Sequence, residues 1–327
     1  MWNWKDSRQS AASRPADKDA PTPHRPRHLL LPGIVLALAP AAWAQEPARE
    51  PNWSAIRRAG LAAIDRNTTQ RWLDATIQDL LTHTEPKAVQ QNGTAFYKKM
   101  MDQFKASDAV QAFKDGLAEM VASTFSQHYQ PSEAAAQPPH PLGASIVLMV
   151  LRDFAHPSAL PCFKAALRDP TPGPRFMAAE GLAAIRAALS DQDWAALIAD
   201  LQRAAGQETN DVALGRLYRL FFSAGENPNR TDAVVAAVMA TLDNRADAFE
   251  QRDRTPLRAD AEAMAWLTER AERSNNATLR IGATRRAARL LADAVYAYLN
   301  NRLGRDLSEP LEEVISQVES RLESLVR

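Results

Sequence analysis

The stretch LRDPTPGPRFMAAEGLAAI, residues Leu167–Ile185, decides how this chain folds. Prolines and a glycine sit between two runs rich in alanine and leucine. Proline lacks an N–H and its ring collides with the preceding helical turn, so no helix can pass through this segment. Asp169 and Pro170 should close one helix, and Pro172, Gly173 and Pro174 should form a rigid corner. The residue before a proline avoids the α region, which places the expected break at Gly173. Pro174 is tolerated in the first turn of the next helix, where a missing N–H costs nothing. Two helices joined so tightly are expected to lie antiparallel.

The same pattern of helix, corner and helix extends outward. Downstream, helical periodicity is read in 175–189, 193–206, 211–225, 231–251, 258–273, 278–300 and 308–326. Upstream, 142–154 is nearly all apolar and should be buried, and 158–169 follows it. An N-terminal helical section, 45–129, is read as helices over 53–67, 68–86, 94–106 and 107–129. Pro86 should end the second of these, and Ser107 should cap the last. Between the two sections, the segment 130–141 carries four prolines and reads as a linker. No stretch alternates apolar and polar residues over a strand's length, so the expected class is all-α.

The corner resembles the HEAT repeat and its phycobilisome-lyase-like relatives. Asp169, Pro170, Arg175, Ala178, Ala179, Leu182 and Ile185 carry the likeness, with Pro174 where that family usually has valine. Gly143 lies 32 residues before Arg175 and Asn210 lies 35 after it, near the period of such repeats. The likeness covers about Leu142–Gly225. It implies a short HEAT-like α-solenoid of antiparallel helix pairs over 142–327. It also implies that Asp169, Pro170 and Arg175 form a structural repeat turn bridging neighbouring repeats.

Two later helices extend that expectation. In 278–300, Ala283, Ala287, Leu290, Leu291, Ala294 and Tyr298 lie on one stripe, while Ile281, Ala288, Val295 and Leu299 lie on a second. Two apolar stripes suit a helix covered by two neighbours. The last helix has a single stripe through Leu311, Val314, Ile315, Val318, Leu322 and Leu325, as a terminal cap would.

The first 44 residues read as an address rather than as part of the fold. A basic segment, His24–His28, precedes the apolar run Leu29–Pro40, which is too short to span a bilayer. Ala42 and Ala44 give the small-x-small spacing of a signal-peptidase site, so cleavage is expected after Ala44. The product would be exported, periplasmic or secreted. Residues 1–44 hold six basic and three acidic residues, leaving 33 against 36, a net charge of −3. Such a balance gives no global attraction to nucleic acid, and no membrane span is expected after cleavage.

Few residues read as chemistry. Cys162 is the single cysteine and lies among apolar neighbours, where it should be buried and inert. His83, His128, His140 and His156 read as exposed loop histidines with no partner at metal-ligand spacing. Arg273 opens a basic run that continues through Arg280, Arg285, Arg286 and Arg289. The last four could form a docking patch for an acidic partner. The preferred reading is neutralisation by the acidic final helix folded back on them. Tyr218, Phe221 and Phe222 could line a peptide groove, with core packing preferred. No phosphate loop, nucleophile elbow or paired carboxylates occur, so no catalytic residue, cofactor or metal is expected.

The resulting expectation is an exported, non-catalytic protein-binding or scaffolding module acting on an unidentified protein partner. Its alternative is an enzyme or ligand-binding protein, with a site between the two sections near Pro131–Pro141, lined by His128, His140 and acids such as Glu119.

Overall fold

The computed structural model describes residues 49–60, 63–131, 138–251, 254–274, 276–300 and 308–326. Residues 1–44, expected as a leader, and the expected cleavage site after Ala44 lie outside the described residues. Among those described, every regular element is helical. The first four helices are α1 (Trp53–Ala59), α2 (Ala63–Thr82), α3 (Pro86–Phe104) and α4 (Gln111–His128). Then come α5 (Pro141–Phe154), α6 (Leu160–Ala166), α7 (Pro172–Ile185), α8 (Asp191–Gln207) and α9 (Asp211–Ala224). The last four are α10 (Thr231–Glu250), α11 (Arg258–Arg273), α12 (Ala277–Leu299) and α13 (Ser308–Val326).

The order of packing has a simple rule. Each of α3, α5, α7, α9 and α11 packs on the next odd-numbered helix, ending with α13. Among the even-numbered helices, α2 packs on α4, α4 on α6, α8 on α10 and α10 on α12. Lys164 and Arg168 at the end of α6 reach Asp200 of α8, at 3.2 Å each. Contacts between α6 and α7, α8 and α9, α10 and α11, and α12 and α13 tie the two series together.

One hydrophobic cluster runs through both series, from Trp53 to Val318. It continues across the proline-rich segment, of which residues 132–137 lie outside the described residues. On the far side, α5 starts against the end of α2. The His140 N–H donates to the Leu81 carbonyl at 2.7 Å. A Cβ added at Gly143 would sit 1.9 Å from the Leu80 carbonyl oxygen. Only glycine permits that approach, and the two backbones meet there.

Local boundaries depart from the sequence reading in four places, each for a physical reason. The corner breaks at Thr171, not Gly173: Thr171 is extended (φ −96°, ψ 145°) and Pro172 is already the first helical residue. Both Pro172 and Pro174 fit, because the first turn of a helix has no intrahelical acceptor for its N–H groups. The expected helix over 53–67 is split at Gly60, whose φ of 78° lies in the left-handed region. Pro86 does not end a helix but starts α3. Ser107 is not a cap: α4 begins at Gln111 after Val110, and the intervening loop is held on α1 by Asp108 with Arg57 and Arg58.

The larger departure is in α12. Of the first stripe, Ala283, Ala287, Leu290 and Ala294 are buried as expected, but Leu291 is half-buried and Tyr298 is exposed. The second stripe is not covered: Ile281 is 55% exposed and Leu299 is 72% exposed. Among the described residues, α12 is the last member of the series α8–α10–α12, so nothing stacks on its outer side. No helix of the described residues is long and apolar enough to cross a membrane.

Candidate functional site

The corner residues are the best-built polar feature. Asp169 is buried, and its carboxylate accepts from the Thr171 N–H (2.8 Å), the Thr171 hydroxyl (2.5 Å) and the Tyr129 hydroxyl (2.5 Å). The Tyr129 hydroxyl is pushed far above its ordinary pKa by burial and by that carboxylate. Arg175 donates to the carbonyls of Asp169 (2.7 Å) and Pro170 (2.8 Å). Its other two nitrogens form a fork on Glu208, at 2.5 and 2.6 Å.

Glu208 is fully buried between α8 and α9, where its carboxylate also accepts the N–H groups of Thr209 and Asn210. The Glu208 carbonyl takes a hydrogen bond from Arg245 of α10 at 2.7 Å. Arg245, also buried, forks onto the buried Asp260 of α11 at 2.5 and 2.9 Å. Burial works against its charge, but the Asp260 carboxylate outweighs that effect and raises the guanidinium pKa. A polar chain thus links three successive junctions: α6–α7, α8–α9 and α10–α11. Bidentate guanidinium–carboxylate pairs of this kind fix orientation as well as energy. Their role here is to hold one junction on the next.

The four arginines assigned to a docking patch separate into two pairs. Arg286 and Arg289 turn inward onto α10. Arg286 bonds Asp243 and the Met239 carbonyl, and Arg289 reaches Asp247 (2.7 Å) and Glu250 (2.9 Å). Their acidic partners come from α10, not from the final helix as the sequence reading had it. Arg280 and Arg285 remain exposed and, with Glu272, Ser274 and Ile281, line an open depression of about 510 Å³. Beside Arg289, Asp293 is half-buried and one of its carboxylate oxygens has no partner. Burial and the nearby Glu250 raise its pKa to about 6, against the pull of Arg289.

His83, His140 and His156 lie in loops as read, while His128 is the last residue of α4, and all four are half-buried rather than exposed. His83 stands 3.6 Å from Asp79, one helical turn earlier, a pairing that the sequence reading missed. His128 reaches Asp74 of α2 at 3.5 Å, and His156 bonds the Ser158 hydroxyl. His140 lies against His83, and burial holds its pKa below the usual imidazole range. Glu119 points outward from α4. Cys162 is buried with its thiol bonded to the Ala122 carbonyl, and burial pushes its pKa up. Among the described residues, no group of three or more His, Cys, Asp or Glu is placed to hold a metal.

The aromatic cluster read as core packing, with a peptide groove as its alternative, divides in the structure. Tyr218 and Phe221 are buried, but Phe222 is only half-buried and stacks on Trp266 at 4.9 Å. Arg270 lies over the other part of Trp266 (4.7 Å), and Arg216 lies over Phe176 (5.6 Å). Half-buried aromatics and arginines therefore alternate across α7, α9 and α11. The only local signal was the cluster RLYRLFF; the rest comes from three separate helices. No protein-family model, curated protein or solved structure matches the chain.

Proposed function

We propose that the chain is a non-catalytic docking module, a short HEAT-like α-solenoid of antiparallel helix pairs that is exported after loss of residues 1–44. The observation that carries this reading is the polar chain Asp169–Arg175–Glu208–Arg245–Asp260, which joins equivalent junctions of successive helix pairs. A stack held through its junctions leaves its helix faces available as one extended surface. The polar residues that could do chemistry are spent elsewhere: His128 on Asp74, His156 on Ser158, and Cys162 in the core.

The surface assigned to docking is the aromatic–arginine face of α7, α9 and α11. Aromatic residues and Arg are enriched at protein interfaces, the aromatics as rigid apolar area and Arg as a planar group that pairs with carboxylates and stacks on rings. The partner is a protein segment offering carboxylates and an apolar side chain to Arg270, to Phe222 and to Arg219, which is exposed on α9 and stands 4.0 Å from Glu262 of α11. Photo-crosslinking groups placed at Arg219 and Glu262 in cells exporting the chain test this. One discrete protein adduct at both positions, absent when the group stands at Asp232 of α10, is the expected result. No adduct from either position, or the same adducts from all three, would overturn the reading.

A further inference from the structure

We infer that α12 pairs with α12 of a second copy of this chain, about a two-fold axis. The outer side of α12 carries Ile281, Arg285, Ala288, Ala292 and Leu299, all exposed, together with the half-buried Val295. Their spacing is four, three, four, three, four, which is the repeat of a helix–helix seam rather than of a solvated face. Ile281 and Leu299 are among the most exposed large apolar side chains of the described residues, at 55% and 72%.

The seam is also its own complement. It reads large, small, small, large about Leu290, which points to the opposite, buried side. An antiparallel partner sets Ile281 against Leu299 of the partner subunit, Arg285 against Val295 of the partner subunit and Ala288 against Ala292 of the partner subunit. The alanines let the backbones approach at the axis while the large residues close both ends. That is the pattern an isologous contact requires. From Ile281 to Leu299 the seam is about 27 Å long at the rise of an α-helix.

Charge fits the same geometry. Arg285 sits in the first half of α12 and would meet the last turns of the partner's α12, the negative end of that helix. There it would lie over the exposed ring of the partner's Tyr296, within reach of a cation–π contact. The packing order makes the contact continuous with the fold: among the described residues the series α8–α10–α12 ends at α12 and would run on into α12 of the partner. This inference is independent of the docking reading, because the aromatic–arginine face belongs to the other series of helices.

Sedimentation equilibrium on the purified chain tests it. Twice the monomer mass is expected at micromolar concentration. Ala288→Arg and Leu299→Glu should each give a monomer with unchanged circular dichroism, since both positions face solvent in the single chain. Val212→Arg, at an exposed apolar site on α9, should leave the dimer intact. Arg285→Glu should weaken the dimer on the order of tenfold. A monomer for the unsubstituted chain would overturn the inference, since the seam would then belong to another protein or to none. A dimer untouched by both Ala288→Arg and Leu299→Glu would overturn it too, by placing the contact on another face.

Discussion

Arg245 and Arg285 are the same residue on neighbouring helices of one series, and they live in opposite surroundings. Arg245 is almost fully buried, with all its donors directed at Asp260 and at carbonyls of the preceding junction. Arg285 is exposed on the outer side of α12. The difference shows that arginine content says little about a surface in this molecule. What decides the role is the side of the helix that the residue takes: Arg245 faces α11 and the α8–α9 junction, whereas Arg285 lies on the exposed side of α12.

The comparison is broken most strongly at Arg245. Arg245→Ala leaves the Asp260 carboxylate buried and loses the tie to the α8–α9 junction. Removing one partner of a buried ion pair costs about 3–5 kcal/mol. Denaturant unfolding should record that loss. A cost below about 1 kcal/mol would mean that Asp260 and the Glu208 carbonyl find water instead, and that the joint is not one. Arg175→Ala should cost less, about 2–3 kcal/mol, because Arg175 is partly exposed and Glu208 keeps two backbone N–H donors. A double-mutant cycle pairing Arg175→Ala with Arg245→Ala should show coupling, because both act on the α8–α9 junction.

The ladder was half legible. Asp169, Pro170 and Arg175 stand close together, and proline and aspartate announce a turn through their own backbone preferences. Glu208, Arg245 and Asp260 gave no such notice, since Glu208 lies 33 residues from Arg175 and a lone charge in a helix reads as solvated. One signal was present: Arg245 continues the apolar stripe Val234, Val238, Thr241, where a solvated arginine does not belong. The second stripe of α12 fails for the converse reason. Spacing tells which residues share a face, not whether anything covers it. The all-α class needed only the periodicity and the prolines, and it holds for the described residues.

Asp293 sharpens the comparison on the α12 side. Its carboxyl has a pKa of about 6 in the folded chain, above the unfolded value. The folded state therefore binds more protons between those two values. The favourable contribution is full below about pH 4 and is lost as pH rises through about 6. Asp293→Asn should accordingly stabilise the chain at pH 8 by about 1 kcal/mol, a value already reduced for the solvent that reaches the group. At pH 3.5 the substitution should be near neutral. Thermal unfolding at the two pH values reads the difference, and equal shifts at both would remove the titration as its cause.

The smallest effects separate the two pairs of arginines on α12, and they do so in a single helix. Arg289 holds Asp247 and Glu250 of α10 and lies a turn from Asp293. Arg289→Ala should cost about 1 kcal/mol at pH 8, in the range of a partly exposed pair of contacts. It should also raise the Asp293 pKa further, because a nearby cation is what holds that value down. Arg280 has no acidic partner among the described residues, so Arg280→Ala should change stability by less than about 0.5 kcal/mol. Unfolding of both variants at one low protein concentration, where any self-association is minimal, measures this. If Arg280→Ala cost as much as Arg289→Ala, its guanidinium would be holding something in the single chain. The division of α12 into an inner, occupied side and an outer, unoccupied one would then fail at its first turn.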